Sequence, residues 1–342
     1  MSIELLLGSY TRRVSEGIYT VQLDTEQKKL EKLSLLAKLG SPTYLDRNEE
    51  SGIIFSIVNE DGQGGIASLV KDDNGDYIRQ SVLVSEGASP AYIAYDQKRQ
   101  FIYTSNYHKG EFAVYSTDDA GNLELLDTVS HTGSSVHENQ GSPHVHYSDL
   151  TPDGKYVAVC DLGTDELYTY EVDETGKINE KSRLKVKAGS GPRHLAFHPN
   201  GQKAYLFAEL SSDIIVLDYD HESGEFTEVQ TISTIPESHS DFNGGAALRV
   251  TKDGRFLYAS NRGHDSIAIF EIDADGQLSV LDYVPTEGET PRDFNLDPSE
   301  KFLIVAHQDS DNLSLFERDT ENGPLTLLQK DFFAPEIVNV HI

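Results

Sequence analysis

The chain contains no tryptophan, one methionine and one cysteine among its 342 residues. A lone cysteine, Cys160, excludes an intramolecular disulfide and suits a reducing compartment. Without tryptophan there is no Trp-Asp repeat signature, which weighs against that class of protein-binding scaffold. No stretch approaches the roughly 18 consecutive apolar residues of a membrane helix. The opening residues, Met1 to Tyr10, carry an acid within a short apolar run and lack the basic start of a secretory signal, so a soluble, cytoplasmic protein is expected. Positive charge is also scarce, with 28 Lys and Arg against 57 Asp and Glu and a formal net charge of −29. Such a surface repels nucleic acid and anionic lipid, since binding either requires clustered Lys and Arg. Neither partner is expected, and an anionic small substrate would need a locally basic pocket. The few arginines are informative for that reason. Finally, no segment holds a long apolar period of 3.6 residues, so helix content should be minimal.

What is present is a repeat. A small residue followed by proline recurs at Ser41-Pro42, Ser89-Pro90, Ser142-Pro143, Gly191-Pro192, Thr290-Pro291 and Ala334-Pro335, with one degenerate copy near Gly244-Gly245. The spacing of about 44–53 residues suits a four-stranded blade. Each step is followed by a short strand such as Ala91–Tyr95 or His194–Phe197, then a turn such as Pro152-Asp153-Gly154 or Lys252-Asp253-Gly254. These turn residues favour tight reversals. A second apolar strand (Tyr156–Cys160, Ala204–Ala208, Phe256–Ser260), a third (Leu167–Tyr170, Ile267–Phe270) and a fourth then complete the unit. Residues 334–342 read as a first strand with nothing after it, and residues 3–40 as a unit lacking its first strand. The C-terminal strand is therefore expected to complete the N-terminal blade, closing a ring and removing its open edges. The expected fold is all-β, a single seven-bladed β-propeller domain spanning residues 1–342.

In such a fold the loop leading into each first strand and the loop between strands two and three open on one face. The first-strand starts supply His144, His146, Arg193, His194 and Arg292; the ends of second strands supply Asn106, Asp161, Glu209, Asn261, Arg262, His264 and Gln308. Convergent polar groups at a concave mouth are a natural place for a binding site.

Ser142-Pro143-His144-Val145-His146, the run Cys160-Asp161-Leu162-Gly163-Thr164-Asp165, Gly191-Pro192-Arg193-His194 with Glu209 after it, and Ser260-Asn261-Arg262 together resemble the 6-phosphogluconolactonase/cycloisomerase-2 (lactonase) family along essentially the whole chain. That family includes bacterial 6-phosphogluconolactonases and fungal carboxymuconate-lactonizing enzymes. In the latter a His, two Arg and a Glu on one face are the suggested active site. The resemblance therefore implies catalytic roles for Glu209, Arg193 and one or both of His144 and His146. It implies substrate binding by Arg262, and His194, Asn261, Arg292 and Gln308 stand beside it at the same mouth. Strict alternation along a strand would put His144 and His146 on the same face, so the resemblance does not choose between them.

Several of these residues also have plain structural readings. His144 and His146 form a His-x-His pair, but no cysteine or carboxylate cluster nearby completes a metal site, so no metal or other cofactor is expected. Arg193 can serve as a structural ion-pair partner for Glu209, a carboxylate that ends an apolar strand and is costly there without one. Asp161 to Asp165 reads as a tight turn, as do Asn261 to His264 and Asp273 to Gly276, the last lacking the distal Glu of a calcium loop. Three activities remain open on sequence. One is hydrolysis of a sugar lactone such as 6-phospho-glucono-1,5-lactone in carbohydrate metabolism, by an activated water with Arg-stabilised anionic oxygens. Another is muconate-type cycloisomerisation of a dicarboxylate by the same groups. The third is a non-enzymatic binding platform. The implied ligand is a small anionic lactone or dicarboxylate, bound by a monomer or weak homo-oligomer.

Overall fold

The structure is a computed structural model that describes residues 2–342. Every element in it is a strand, and the strands form seven four-stranded antiparallel blades with no helix among the described residues. Six blades take their strands consecutively, and they begin at Leu45, Tyr92, Val145, Pro192, Gly244 and Pro291. The remaining blade has the order Ile337–His341, Ser2–Ser9, Gly17–Asp24, Lys29–Lys38. The C-terminal strand thus pairs antiparallel with the N-terminal one, Leu7 opposite Val340 and Gly8 opposite Asn339, as the incomplete units at the two ends require. The expected strands named above agree with the observed ones to within two residues, except that the closing strand expected over residues 334–342 begins at Ile337.

The chain packs as two compact units. One contains the residues through Lys38, Ala196–Leu217 and Glu228–Ile342; the other contains Leu39–Leu195 and Asp218–Thr227. Within the first unit the apolar faces of successive blades fuse. Leu5, Leu7, Ile337 and Val340 pack with Ile304 and Leu313. Phe294 and Val305 pack with Tyr258 and Ile269, and Leu257 and Phe270 with Tyr205 and Phe207. In the second unit Phe55 and Ile57 join Ile93 and Ile102, and Tyr103 and Phe112 join Val157 and Val159.

Consecutive blades are also strapped by a recurring aspartate. Asp165, Asp265 and Asp311 follow second strands and hold a left-handed backbone, with φ of 58°, 49° and 55°. Aspartate enters this region more readily than most residues. Their carbonyls accept the N–H of Val186, Thr286 and Ala334 as the fourth strand ends. Their carboxylates reach past that point to accept the N–H of Gly191, Thr290 and Glu336, at 2.8, 3.0 and 2.8 Å, where the next first strand starts. Each such charge-assisted bond contributes on the order of 1.5–3 kcal/mol.

The closing strand carries a fully buried Ile337 into the cluster formed with Leu5 and Ile304. Ile337→Ala should therefore destabilise the protein by about 2–5 kcal/mol in urea unfolding. A loss below ~1 kcal/mol would mean that the strand contributes little to the core.

Candidate functional site

One backbone hydrogen bond aligns the blades. After the first strand, Thr151 N–H bonds to Tyr156 O, and His198 to Lys203, Thr251 to Phe256 and Asp297 to Phe302 repeat it. Counting back five residues from these donors reaches His146, Arg193, Ala246 and Arg292; counting on six from the acceptors reaches Leu162, Glu209, Arg262 and Gln308. Six of the candidates from sequence thus sample two positions of the repeat, with His144, His194 and Asn261 next to them along the chain. In the composite blade, Tyr10 N–H bonds to Glu336 O as Leu162 bonds to His144 and Gln308 to Thr290, so Tyr10 holds the same position as Glu209 and Arg262.

The first-strand position is a β-bulge. Pairing shifts between Val145 and Tyr147, between Gly245 and Leu248, and between Pro291 and Asp293, so His146 and Arg292 are extra residues on their strands. The irregularity between Gly8 and Ser9 places Val338 likewise. A bulge re-aims the side chain it carries. Alternation therefore fails at the point where it was expected to place His144 and His146 on one face: His144 precedes the strand and His146 is the bulged residue.

In the first unit, Arg262 Nη2 lies 2.9 Å from Glu209 Oε2, both side chains largely enclosed at 14% and 20% exposure. The same nitrogen donates to Gly245 O at 2.7 Å and Nε donates to Gly244 O at 3.3 Å, while Gly245 N–H donates to Glu209 O at 3.0 Å. The Gly-Gly step that replaces proline in this blade allows the approach. A Cβ on Gly245 would sit 2.5 Å from the Phe207 ring, and one on Gly244 would meet the Arg262 guanidinium. Asn261 is fully buried and its amide ties down the loop, accepting from Thr234 Oγ1 and Asn243 Nδ2 and donating to Thr234 O. Its geometry is that of a positioning residue. Arg292 Nη1 donates to Gln308 Oε1 at 3.3 Å, and its guanidinium lies 5.9 Å from the Tyr10 ring centroid. His264 donates or accepts at Ser266 Oγ and faces His239; burial, and then that second histidine, hold its pKa below the usual value.

The second unit gathers the remaining candidates. The His144 ring stacks on Tyr107 at 4.2 Å with its Nδ1 2.8 Å from Tyr107 O. The His144 N–H donates to Asp161 Oδ1. That buried carboxylate also accepts from Gly163 N, Thr164 N and His131 Nδ1, which makes it a pin for the loop, as its structural reading held. His146 is buried, set edge-on to Tyr107 at 6.0 Å and to His194 at 5.2 Å. His194 in turn meets Tyr44, Tyr92 and Tyr147, which share its place in the repeat. Arg193, 2% exposed, is buried beside it in sequence.

Three residues beyond the bulge lies a row that sequence reasoning missed. In the second unit it holds Asp46 and Asp149. Burial pushes Asp46 up to about 7, against the hydrogen bonds from Tyr95 and Arg47 N–H, with the charges of Asp149 and Glu49 adding to the rise. Burial likewise pushes Asp149 up to about 6, against the Leu150 N–H and the Tyr92 hydroxyl, with Asp96 adding. Asp46 follows Leu45 and Asp149 precedes Leu150 on short strands, where one charged residue reads as a solvent-facing position.

A family model described as Lactonase, 7-bladed beta-propeller matches residues 4–342. The chain is 44% identical to the 6-phosphogluconolactonase of Bacillus subtilis (strain 168), over 96% of this chain and 95% of that protein. It superposes on a crystal structure of a Lactobacillus plantarum protein with a TM-score of 0.97 at 44% identity, covering 100% of this chain and 99% of that one. A periplasmic gluconolactonase of Pseudomonas aeruginosa matches with a TM-score of 0.92 at 29% identity, again covering 100% and 99%.

The two raised carboxyl groups fix a sign. Below about pH 4 both are protonated in the folded and the unfolded chain. As the pH rises towards 7 the unfolded chain releases these protons first, so stability falls through that window. Asp46→Asn should remove its part of the fall, leaving the variant more stable than the natural chain by about 1–3 kcal/mol at pH 8 and nearly equal to it at pH 4. Urea unfolding at the two pH values checks this, and a variant less stable at pH 8 contradicts it.

Proposed function

The chain belongs to the lactonase family of seven-bladed β-propellers, and on that premise we propose that it hydrolyses a sugar lactone of the 6-phospho-glucono-1,5-lactone type. The observation that carries the chemistry is the 2.9 Å pair between Glu209 and Arg262. Ester hydrolysis needs a proton acceptor for water and positive charge for the developing oxyanion. Glu209 takes the proton as the water oxygen bonds to the lactone carbonyl carbon. The tetrahedral intermediate then expels the ring oxygen, which leaves as a hydroxyl by taking the proton Glu209 had accepted. One water is consumed and one aldonic acid formed, which releases its carboxyl proton to solvent as the aldonate. Arg262 pairs with Glu209 and offers a guanidinium to the anionic oxygen. Its carbonyl contacts with Gly244 and Gly245 fix the plane of the group, which reduces the reorganisation needed during reaction. No helix among the described residues is long and apolar enough to cross a membrane. A phosphorylated sugar is charged and confined to the compartment where it is made, so we assign this activity to the cytoplasm and to the pentose phosphate pathway.

His146 and Arg193 are rival carriers of the proton-transfer and anion-binding roles, and the variants separate them. Glu209→Gln should lower kcat by roughly 10²–10⁴ with KM little changed, since shape is kept and the proton acceptor lost. Arg262→Lys should affect KM as well, because an ammonium cannot reproduce the planar fork. Steady-state hydrolysis of 6-phospho-glucono-1,5-lactone by these variants and by His146→Ala and Arg193→Lys is the measurement. A fully active Glu209→Gln enzyme with an inactive His146→Ala would move the base to the histidine.

A further inference from the structure

An arginine in this protein usually has a carboxylate at hand: Arg13, Arg47, Arg79, Arg99, Arg183, Arg249, Arg262 and Arg318 each have one within ion-pair distance. With 57 acids against 28 bases that is unsurprising. Arg12 and Arg292 are exceptions, and they occur together. Arg12 lies 3.6 Å from the Tyr10 ring centroid and Arg292 lies 5.9 Å from the same centroid, with Gln308 accepting from Arg292. Neither guanidinium has a carboxylate partner among the described residues. Two like charges gathered on one ring, in a chain of net charge −29, are costly to assemble and favourable once an anion sits between them.

The segment bearing Arg12 is built to stay in place. Glu336, 2% exposed, accepts four backbone N–H groups with its carboxylate: Arg12 on Oε1 at 3.0 Å, and Arg13, Val14 and Ser15 on Oε2 at 2.9, 2.9 and 3.1 Å. These bonds hold its pKa low despite burial. Glu336 is itself left-handed, with φ of 55°, and its N–H is capped by Asp311, whose carboxylate also pairs with Arg13. Arg292 is fixed equally firmly. Thr290, two residues before it, is β-branched yet has φ of 59°, held by its N–H to Asp265 and its carbonyl to Gln308 N–H. Backbone strain of this kind persists where the surroundings over-determine it, and it clusters at ligand sites. In the repeat, Gln308 and Tyr10 are the counterparts, in the next two blades of the same unit, of Glu209 and Arg262.

We propose that Tyr10, Arg12, Arg292 and Gln308 form an anion subsite that takes the phosphoryl group of the substrate, at the end remote from the lactone carbonyl. Two guanidinium groups supply planar N–H donors to phosphate oxygens, and both lie against the Tyr10 ring with no ion-pair carboxylate on either among the described residues. This deepens the lactonase reading and rests on it for the identity of the substrate. The recognition itself is open to a separate test.

Calorimetric titration of the full chain with 6-phosphogluconate and with gluconate compares the same aldonate with and without the phosphoryl group. The natural chain should bind 6-phosphogluconate at least 10-fold more tightly, and Arg12→Ala and Arg292→Ala should each remove most of that ratio. Arg12 is exposed, so its variant should fold normally. Glu336→Gln, which keeps the shape and weakens the four backbone bonds, should reduce the ratio in part. Equal affinity for the two ligands, or a ratio unchanged in Arg12→Ala, would overturn the subsite. If 6-phosphogluconate binds with the expected preference but no lactone is hydrolysed, the subsite stands and the lactonase reading falls.

Discussion

The interaction on which the rest of this architecture depends is a carboxylate reaching across a turn to the N–H that begins the next blade. Asp165, Asp265 and Asp311 make it to Gly191, Thr290 and Glu336. A four-stranded antiparallel blade alone leaves its starting strand free to slide by a residue, and a one-residue slip exchanges its two faces. The aspartate removes that freedom by fixing the strand's first N–H relative to the preceding loop. Its left-handed backbone is the cost, and the same residue repays it with the bond from the end of the fourth strand. At the closure the strap passes through one further link. Asp311 holds Glu336, and Glu336 holds residues 12–15, so the two chain ends are joined by side chains as well as by strand pairing.

With the start of the strand fixed and its pairing beyond fixed by core packing, an extra residue has one place to go. The bulge at Arg292 follows the strapped Thr290, and the bulge at His146 follows His144, whose N–H is held by Asp161 of its own blade. In both, one pair precedes the extra residue and regular pairing resumes after it. It follows that the same repeat position presents chemically different residues without altering the strands around it: a histidine, two arginines, an alanine and a valine occupy it in five blades. The scaffold is uniform where it packs and variable where it bulges. Functional difference between blades can accumulate there at little cost to stability, because neither the cluster of Leu257 and Phe270 nor that of Val157 and Tyr168 includes the bulged side chain.

This division also sets what could be read from the sequence. The small-residue–proline steps, the Asp-Gly turns and the alternating apolar strands all report packing, and they led to seven blades and to closure by residues 334–342. Glu209 and Arg262 were legible because each is a charge at the end of an apolar strand. The bulge was not legible: alternation assumes a constant period of two, and nothing in Pro143-His144-Val145-His146 marks the extra residue. Tyr10 and Arg12 were hidden for another reason. They belong to the composite blade, whose first strand lies at the far end of the chain, so their position in the repeat emerges only from the bond between Tyr10 and Glu336. A sharper signal was available in hindsight. Glu336 stands where other copies carry the residue that a strap aspartate caps, and a carboxylate in a sharply bent turn has to find donors.

The balance of charge bears on how an acidic protein can recognise an anion. At physiological ionic strength the Debye length is about 8 Å, so most of the acidic surface is screened from any one point on it. What a ligand meets at contact is set by the few groups within that distance. Around Tyr10 these include Arg12 and Arg292, with Arg13 paired to Asp311, the Glu336 carboxylate taken up by backbone N–H groups and Asp309 bonded by Gln308. Around Glu209 they include a guanidinium anchored to two carbonyls. The net charge of −29 therefore acts chiefly at low ionic strength, where it slows the approach of an anion. On the proposed reading affinity is decided locally, by how the glycine step holds Arg262 and how bulge and strap hold Arg292.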